Sequence, residues 1–115
     1  MSAHTGAFEA IEGVLNRGGD ADEVLRRVVA ILHSRLGRFV RISFVEGERL
    51  VPGPAEGEET ETTPFPISFQ GRPVAQLEAG GPLSAADRAL LERVGAIVSP
   101  YALVGWDTEG EEWTP

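Results

Sequence analysis

Apolar residues recur along the chain with a helical period near both ends and with a period of two in the middle. Ala7, Phe8, Ile11, Val14 and Leu15 fall in one stripe about 120° wide, which predicts a first helix over 5–17, ended by Gly18-Gly19. Asp20 is placed to cap a second helix, with Glu23 three residues on at the capping-box position. Val24, Leu25, Val28, Val29, Ile31, Leu32 and Leu36 form its buried stripe, and Gly37 closes it in the left-handed conformation that glycine tolerates.

Alternation takes over at 39–46. Val40, Ile42 and Phe44 point one way and Phe39, Arg41, Ser43 and Val45 the other. A tight turn at Gly47 leads into a short second strand at 49–51. Residues 52–64, rich in Gly, Pro, Glu and Thr, lack periodicity and read as a surface loop. A third strand follows over 65–69. Pro66 lacks a ladder donor, which places that strand at a sheet edge. Gln70-Gly71 turns it into a fourth strand over 73–79.

Ser84, with Asp87 three residues later, caps a last helix over 85–104. Leu90, Leu91, Val94, Ile97, Val98, Tyr101 and Val104 make its main stripe, and Pro100 inside it should kink it. A second row, Ala85, Ala89, Ala96 and Leu103, would let another helix approach closely. The expected organisation is an N-terminal helix (1–19), a core (20–104) and an acidic tail (105–115) carrying Trp106 and Trp113, the chain's two tryptophans. The expected fold is α+β, a central antiparallel sheet of about four strands with the terminal helices on one face.

Composition narrows the chemistry. The 115 residues fit one domain, and the 42% apolar content suits a globular protein. No apolar run approaches a membrane span, and the first residues lack the pattern of a signal peptide, so a cytoplasmic protein is expected. The net charge of -8 disfavours nucleic acid and anionic membranes. There is no cysteine, so thiol catalysis, disulfides and thiolate metal sites are excluded. All ten basic residues are arginine, which removes Schiff-base chemistry and a P-loop lysine. The only histidines are His4 and His33, and the neighbours of His33 one helical turn away, Val29 and Gly37, supply no ligand. Glu56, Glu58, Glu59 and Glu61 lack the alternation of a calcium loop, and Ser99 has no nucleophile-elbow context. No cofactor and no enzymatic activity are expected. Arg41, on the strand face away from the helices, and Arg35, within the second helix's stripe, are the candidates for pairing with an anionic ligand.

Four stretches, in order, resemble those of GAF domains. DADEVLRRVVAILHSRLG is similar to the opening helix of that family and FVRISFVEGERLVPGP to its first hairpin. FPISFQGRPVAQLEA is similar to its later hairpin and LSAADRALLERVGAIVSPYAL to its closing helix. The resemblance covers about 20–104. It implies a sensing or dimerising module with helices on one sheet face and a ligand pocket on the other. The excursion that normally roofs that pocket is here reduced to 52–64, so the resemblance implies an uncovered face. Tetrapyrrole attachment and methionine sulfoxide reduction in that family need cysteine, and its cyclic-nucleotide signature needs lysine.

The expected function is a non-enzymatic GAF-like module that dimerises and scaffolds or senses within a larger signalling system. The resemblance implies self-association through the first and last helices, and because these carry more apolar face than one small sheet can cover, a homodimer is expected in which Phe8, Ile11 and Leu15 meet Ala89, Ala96 and Leu103. Trp106 should dock on its own core, with Trp113 a conditional anchor for a protein partner or a second subunit. Two alternatives stand beside it. One is a small-molecule sensor or minimal enzyme using the open sheet face. The other is a roadblock- or profilin-like interaction domain.

Overall fold

The computed structural model describes the backbone of residues 3–110 and the side chains of residues 6–102. The element order is α1 (Ala3–Arg17), α2 (Ala21–Leu36), β1 (Val40–Glu46), β2 (Arg49–Glu56), β3 (Thr62–Phe69), β4 (Arg72–Gly80) and α3 (Ala85–Gly110). The fold is α+β, three helices on a four-stranded antiparallel sheet of order β2-β1-β4-β3.

Strand alternation sorts the sheet into two unlike faces. Val40, Ile42, Phe44, Phe65, Ile67, Ala75, Leu77 and Ala79 are buried under α2 and α3. Residues of the opposite parity, among them Arg41, Ser43, Gln76 and Glu78, lie on the face that no helix covers. An antiparallel sheet accommodates this because only one face needs to be apolar. α1 packs across α2 and α3 rather than on the sheet, and its Ala7, Ile11 and Val14 join the same hydrophobic cluster.

The caps form unevenly. Ser84 and Asp87 make the reciprocal capping box: the Ser84 N–H donates to Asp87 Oδ2 and the Asp87 N–H to Ser84 Oγ, both at 3.0 Å. The expected box at α2 is absent. Asp20 makes no side-chain cap bond, and Glu23 instead accepts from Arg27 at 2.7 Å on the exposed helix surface. Gly37 closes α2 at φ 69°, its N–H bonding the carbonyl of His33.

Residues 52–64 are a correction. β2 continues to Glu56 and β3 starts at Thr62, leaving only 57–61 as a loop. Pro52 and Pro54 are tolerated because β2 is an edge strand, where alternate residues owe no hydrogen bond to a neighbour. β2 also bulges against β1, with a register shift between Arg41 and Ser43. Gly53 sits at that bulge, and a Cβ there would stand 2.4 Å from Phe44 Cε2. β3, with Pro64 and Pro66, occupies the other edge as expected, so both edges carry prolines that cannot donate to an added strand.

α3 continues past its expected end at Val104 as far as Gly110. Pro100 lies inside it and removes the N–H that would serve the Ala96 carbonyl. Ser99 Oγ donates to that carbonyl instead, at 3.1 Å.

Candidate functional site

β1 and β4 run antiparallel with Arg41 opposite Glu78 and Ser43 opposite Gln76, which places four polar side chains side by side at the centre of the uncovered face. Arg41 Nε donates to Glu78 Oε1 at 2.5 Å, and Ser43 Oγ donates to the same oxygen at 3.2 Å. Gln76 Nε2 donates to Glu78 Oε2 at 2.5 Å. Both carboxylate oxygens are therefore engaged. The Glu78 side chain is 5% exposed, so its charge is held in a poorly solvated place by the guanidinium and two neutral donors.

The network reaches beyond the sheet. Arg41 Nη1 donates to Glu59 Oε2 at 3.1 Å, tying the 57–61 loop to the sheet through a carboxylate whose side chain is 73% exposed. The Arg41 guanidinium carbon lies 5.4 Å from the centre of the Phe39 ring, within cation–π range. The hydrogen bond that Arg41 donates to Glu78 raises the pKa of Arg41 above its ordinary value, against a smaller opposing effect of desolvation. Chemically this is a closed ion-pair cluster. Its buried carboxylate is hydrogen-bonded on both oxygens, twice on Oε1 and once on Oε2.

No family model, curated protein or solved structure matches the chain.

Recesses open at the two ends of the sheet. One, of about 380 Å³, lies where α2 ends, between His33, Arg38, Phe39, Glu58 and Thr60. His33 Nδ1 is 2.7 Å from the Arg38 carbonyl, which as acceptor places the proton on Nδ1. The other, of about 500 Å³, lies between the two hairpin turns and is walled by Val45, Phe69, Pro73 and Val74 with Arg72 at its rim. Among the described residues no group of three or more His, Asp or Glu side chains could hold a metal ion. No described helix is long and apolar enough to cross a membrane.

The two arginines singled out from the sequence are not brought together. Arg41 anchors the sheet-face cluster. Arg35 is exposed on the helical side, its Nη1 lying 3.3 Å from where a Cβ on Gly6 of α1 would stand. The residues expected at a subunit contact also part company. Ile11 is fully buried within the subunit, Phe8 is covered by the Arg93 guanidinium 4.0 Å from its ring centre, and Leu15 packs against the core. The apolar face of α1 is thus covered by α2 and α3 of its own chain, which corrects the expectation that Ile11 lies in a contact between subunits. Ala89 and Ala96 remain exposed on α3. The side chains of Leu103 and Trp106, and the whole of Trp113, lie outside the described residues.

Sequence reasoning passed over Glu78. The only signal was a Gln76–Glu78 pair alternating with Leu77 and Ala79, and the partner across the ladder depends on register, which one strand does not encode.

Proposed function

We propose that the chain is a non-enzymatic, GAF-like binding and dimerisation module that scaffolds or senses inside the cell as part of a larger signalling system. The observation that supports this reading is the uncovered sheet face. The position where such a module would hold a small ligand is filled by the protein's own Arg41–Glu78–Ser43–Gln76 cluster. A face finished in this way suits contact with another macromolecule better than enclosure of a metabolite, which needs a concave, largely apolar site with a few convergent polar groups. The hydroxyl of Ser99 donates to the Ala96 carbonyl, and that of Ser43 to Glu78, a carboxylate already held in an ion pair with Arg41. With -8 net charge, the partners that electrostatics favours are neutral or basic proteins.

One observation favours the small-molecule reading, the recess of about 380 Å³ beside His33 and Glu58. Sedimentation combined with native mass spectrometry of the purified chain separates the two. A dimer of ligand-free chains supports the module reading. A monomer carrying a stoichiometric small molecule overturns it.

A further inference from the structure

The strand order β2-β1-β4-β3 makes the connection from β2 to β3 a crossover, so residues 57–61 pass from one edge of the sheet to the other. The register fixes where they pass. Glu56 pairs with Val40 and Thr62 with Gly80, which sets this strap over the start of β1 and the end of β4. There the Gly80 N–H donates to the Phe39 carbonyl at 2.8 Å. The recess of about 380 Å³ lies between the strap, this strand end and the last turn of α2.

Its side chains are seated on glycines. A Cβ on Gly57 would stand 2.9 Å from His33 Cε1, and one on Gly81 2.5 Å from Arg38 Nη1, so both side chains lie against backbone that only glycine offers. The polar groups at the recess fall into two sets. Arg38 is a cation, and Thr60 carries a hydroxyl donor. Glu58 is a carboxylate, and His33, with its Nδ1 proton on the Arg38 carbonyl, keeps Nε2 as an acceptor. Arg38 and Glu58 do not pair with each other, and among the described residues neither has another ion-pair partner. Arg41, by contrast, is held by two carboxylates.

Two opposite charges that share a recess without meeting select a ligand that carries both. A simple anion gains from Arg38 but is opposed by Glu58, and a simple cation meets the reverse. A neutral ligand would desolvate both charges and compensate neither. Size narrows the class further, since about 380 Å³ is near the small end of ligand sites, which run from about 300 to 1,000 Å³. We propose that the recess binds a free α-amino acid. Its carboxylate meets the Arg38 guanidinium and the Thr60 hydroxyl, and its ammonium meets Glu58 and His33 Nε2. A planar guanidinium suits a carboxylate because it donates two parallel hydrogen bonds. Phe39 is the large apolar residue of a lining otherwise polar or glycine, so the contacts select the zwitterion rather than one particular side chain.

Amino-acid binding here goes beyond the module reading and does not depend on the chain being a dimer. L-alanine titrated into the isotope-labelled full chain should give saturable shifts of the Thr60 and Gly81 amide resonances. L-alaninamide, which lacks the carboxylate, and N-acetyl-L-alanine, which lacks the ammonium, should each bind at least about tenfold more weakly. Arg38→Gln should weaken L-alanine about tenfold and leave L-alaninamide unchanged, whereas Glu58→Gln should weaken L-alanine and not N-acetyl-L-alanine. The two analogues are compared on the unaltered chain, so the outcome does not rest on the variants folding. Absence of saturable shifts with L-alanine, or either analogue binding as tightly as L-alanine, overturns the proposal. Such a failure leaves the dimerising module standing, because sedimentation decides that reading separately.

Discussion

Arg41 and Glu78 face each other across the β1–β4 ladder, Nε to Oε1 at 2.5 Å, with the Glu78 side chain 5% exposed although no helix covers that side of the sheet. The burial comes from the cluster itself, since Ser43, Gln76 and Arg41 surround the carboxylate. Removing the cation leaves that charge poorly solvated and uncompensated. Arg41→Ala should therefore destabilise the fold by about 3–5 kcal/mol, measured by urea denaturation. Arg41→Met with Glu78→Leu should recover most of the loss. A double variant as unstable as Arg41→Ala alone would show that the charge is not what matters. Because Glu78 raises the pKa of Arg41, the guanidinium's contribution is complete below the ordinary arginine range and is lost only as pH rises through the raised value.

The outer pair of the same cluster should behave differently. Glu59 is 73% exposed, so its attraction to Arg41 is screened by solvent. Glu59→Gln should cost under about 1 kcal/mol, and that small loss should vanish in high salt. A loss as large as that of Arg41→Ala would mean that the 57–61 loop holds the cluster together.

Gly53 permits the bulge that lets β2 continue through two prolines. A Cβ there would stand 2.4 Å from Phe44 Cε2 and 2.7 Å from the Ile42 carbonyl oxygen, and backbone cannot move aside cheaply. Gly53→Ala should cost about 1–3 kcal/mol. Amide exchange should rise in β2 and leave β3 unchanged. Wild-type stability in this variant would refute the close approach.

Ile11→Glu should unfold the chain rather than release a monomer. Its side chain is fully buried among α1, α2 and α3, and a carboxylate there has no partner. A folded variant with native circular dichroism would mean that α1 does not dock on its own subunit.

Ser99 substitutes for a bond that Pro100 removes. Ser99→Ala should cost about 1 kcal/mol, and the cost should largely disappear in a Pro100→Ala background, where residue 100 regains an N–H for the Ala96 carbonyl. An undiminished cost in the double variant would mean that Ser99 acts through packing instead.

The sequence by itself determined the order of elements, the faces of α2 and of the central strands, the edge position of β3 and the Ser84–Asp87 cap. Each of these follows from residues within one turn or one strand, where periodicity and capping chemistry act. It ended β2 too early, at Val51 rather than Glu56, because Pro52, Gly53 and Pro54 break a strand locally but not at a sheet edge with a bulge, and edge position is a property of the assembled sheet. Only the tertiary structure decided that the apolar face of α1 is covered within its own chain, since an amphipathic helix does not record which surface it meets. The same holds for Glu78. A lone glutamate between Leu77 and Ala79 looks like a solvated side chain until register puts Arg41 opposite it, and register is fixed by long-range pairing rather than by neighbours in sequence.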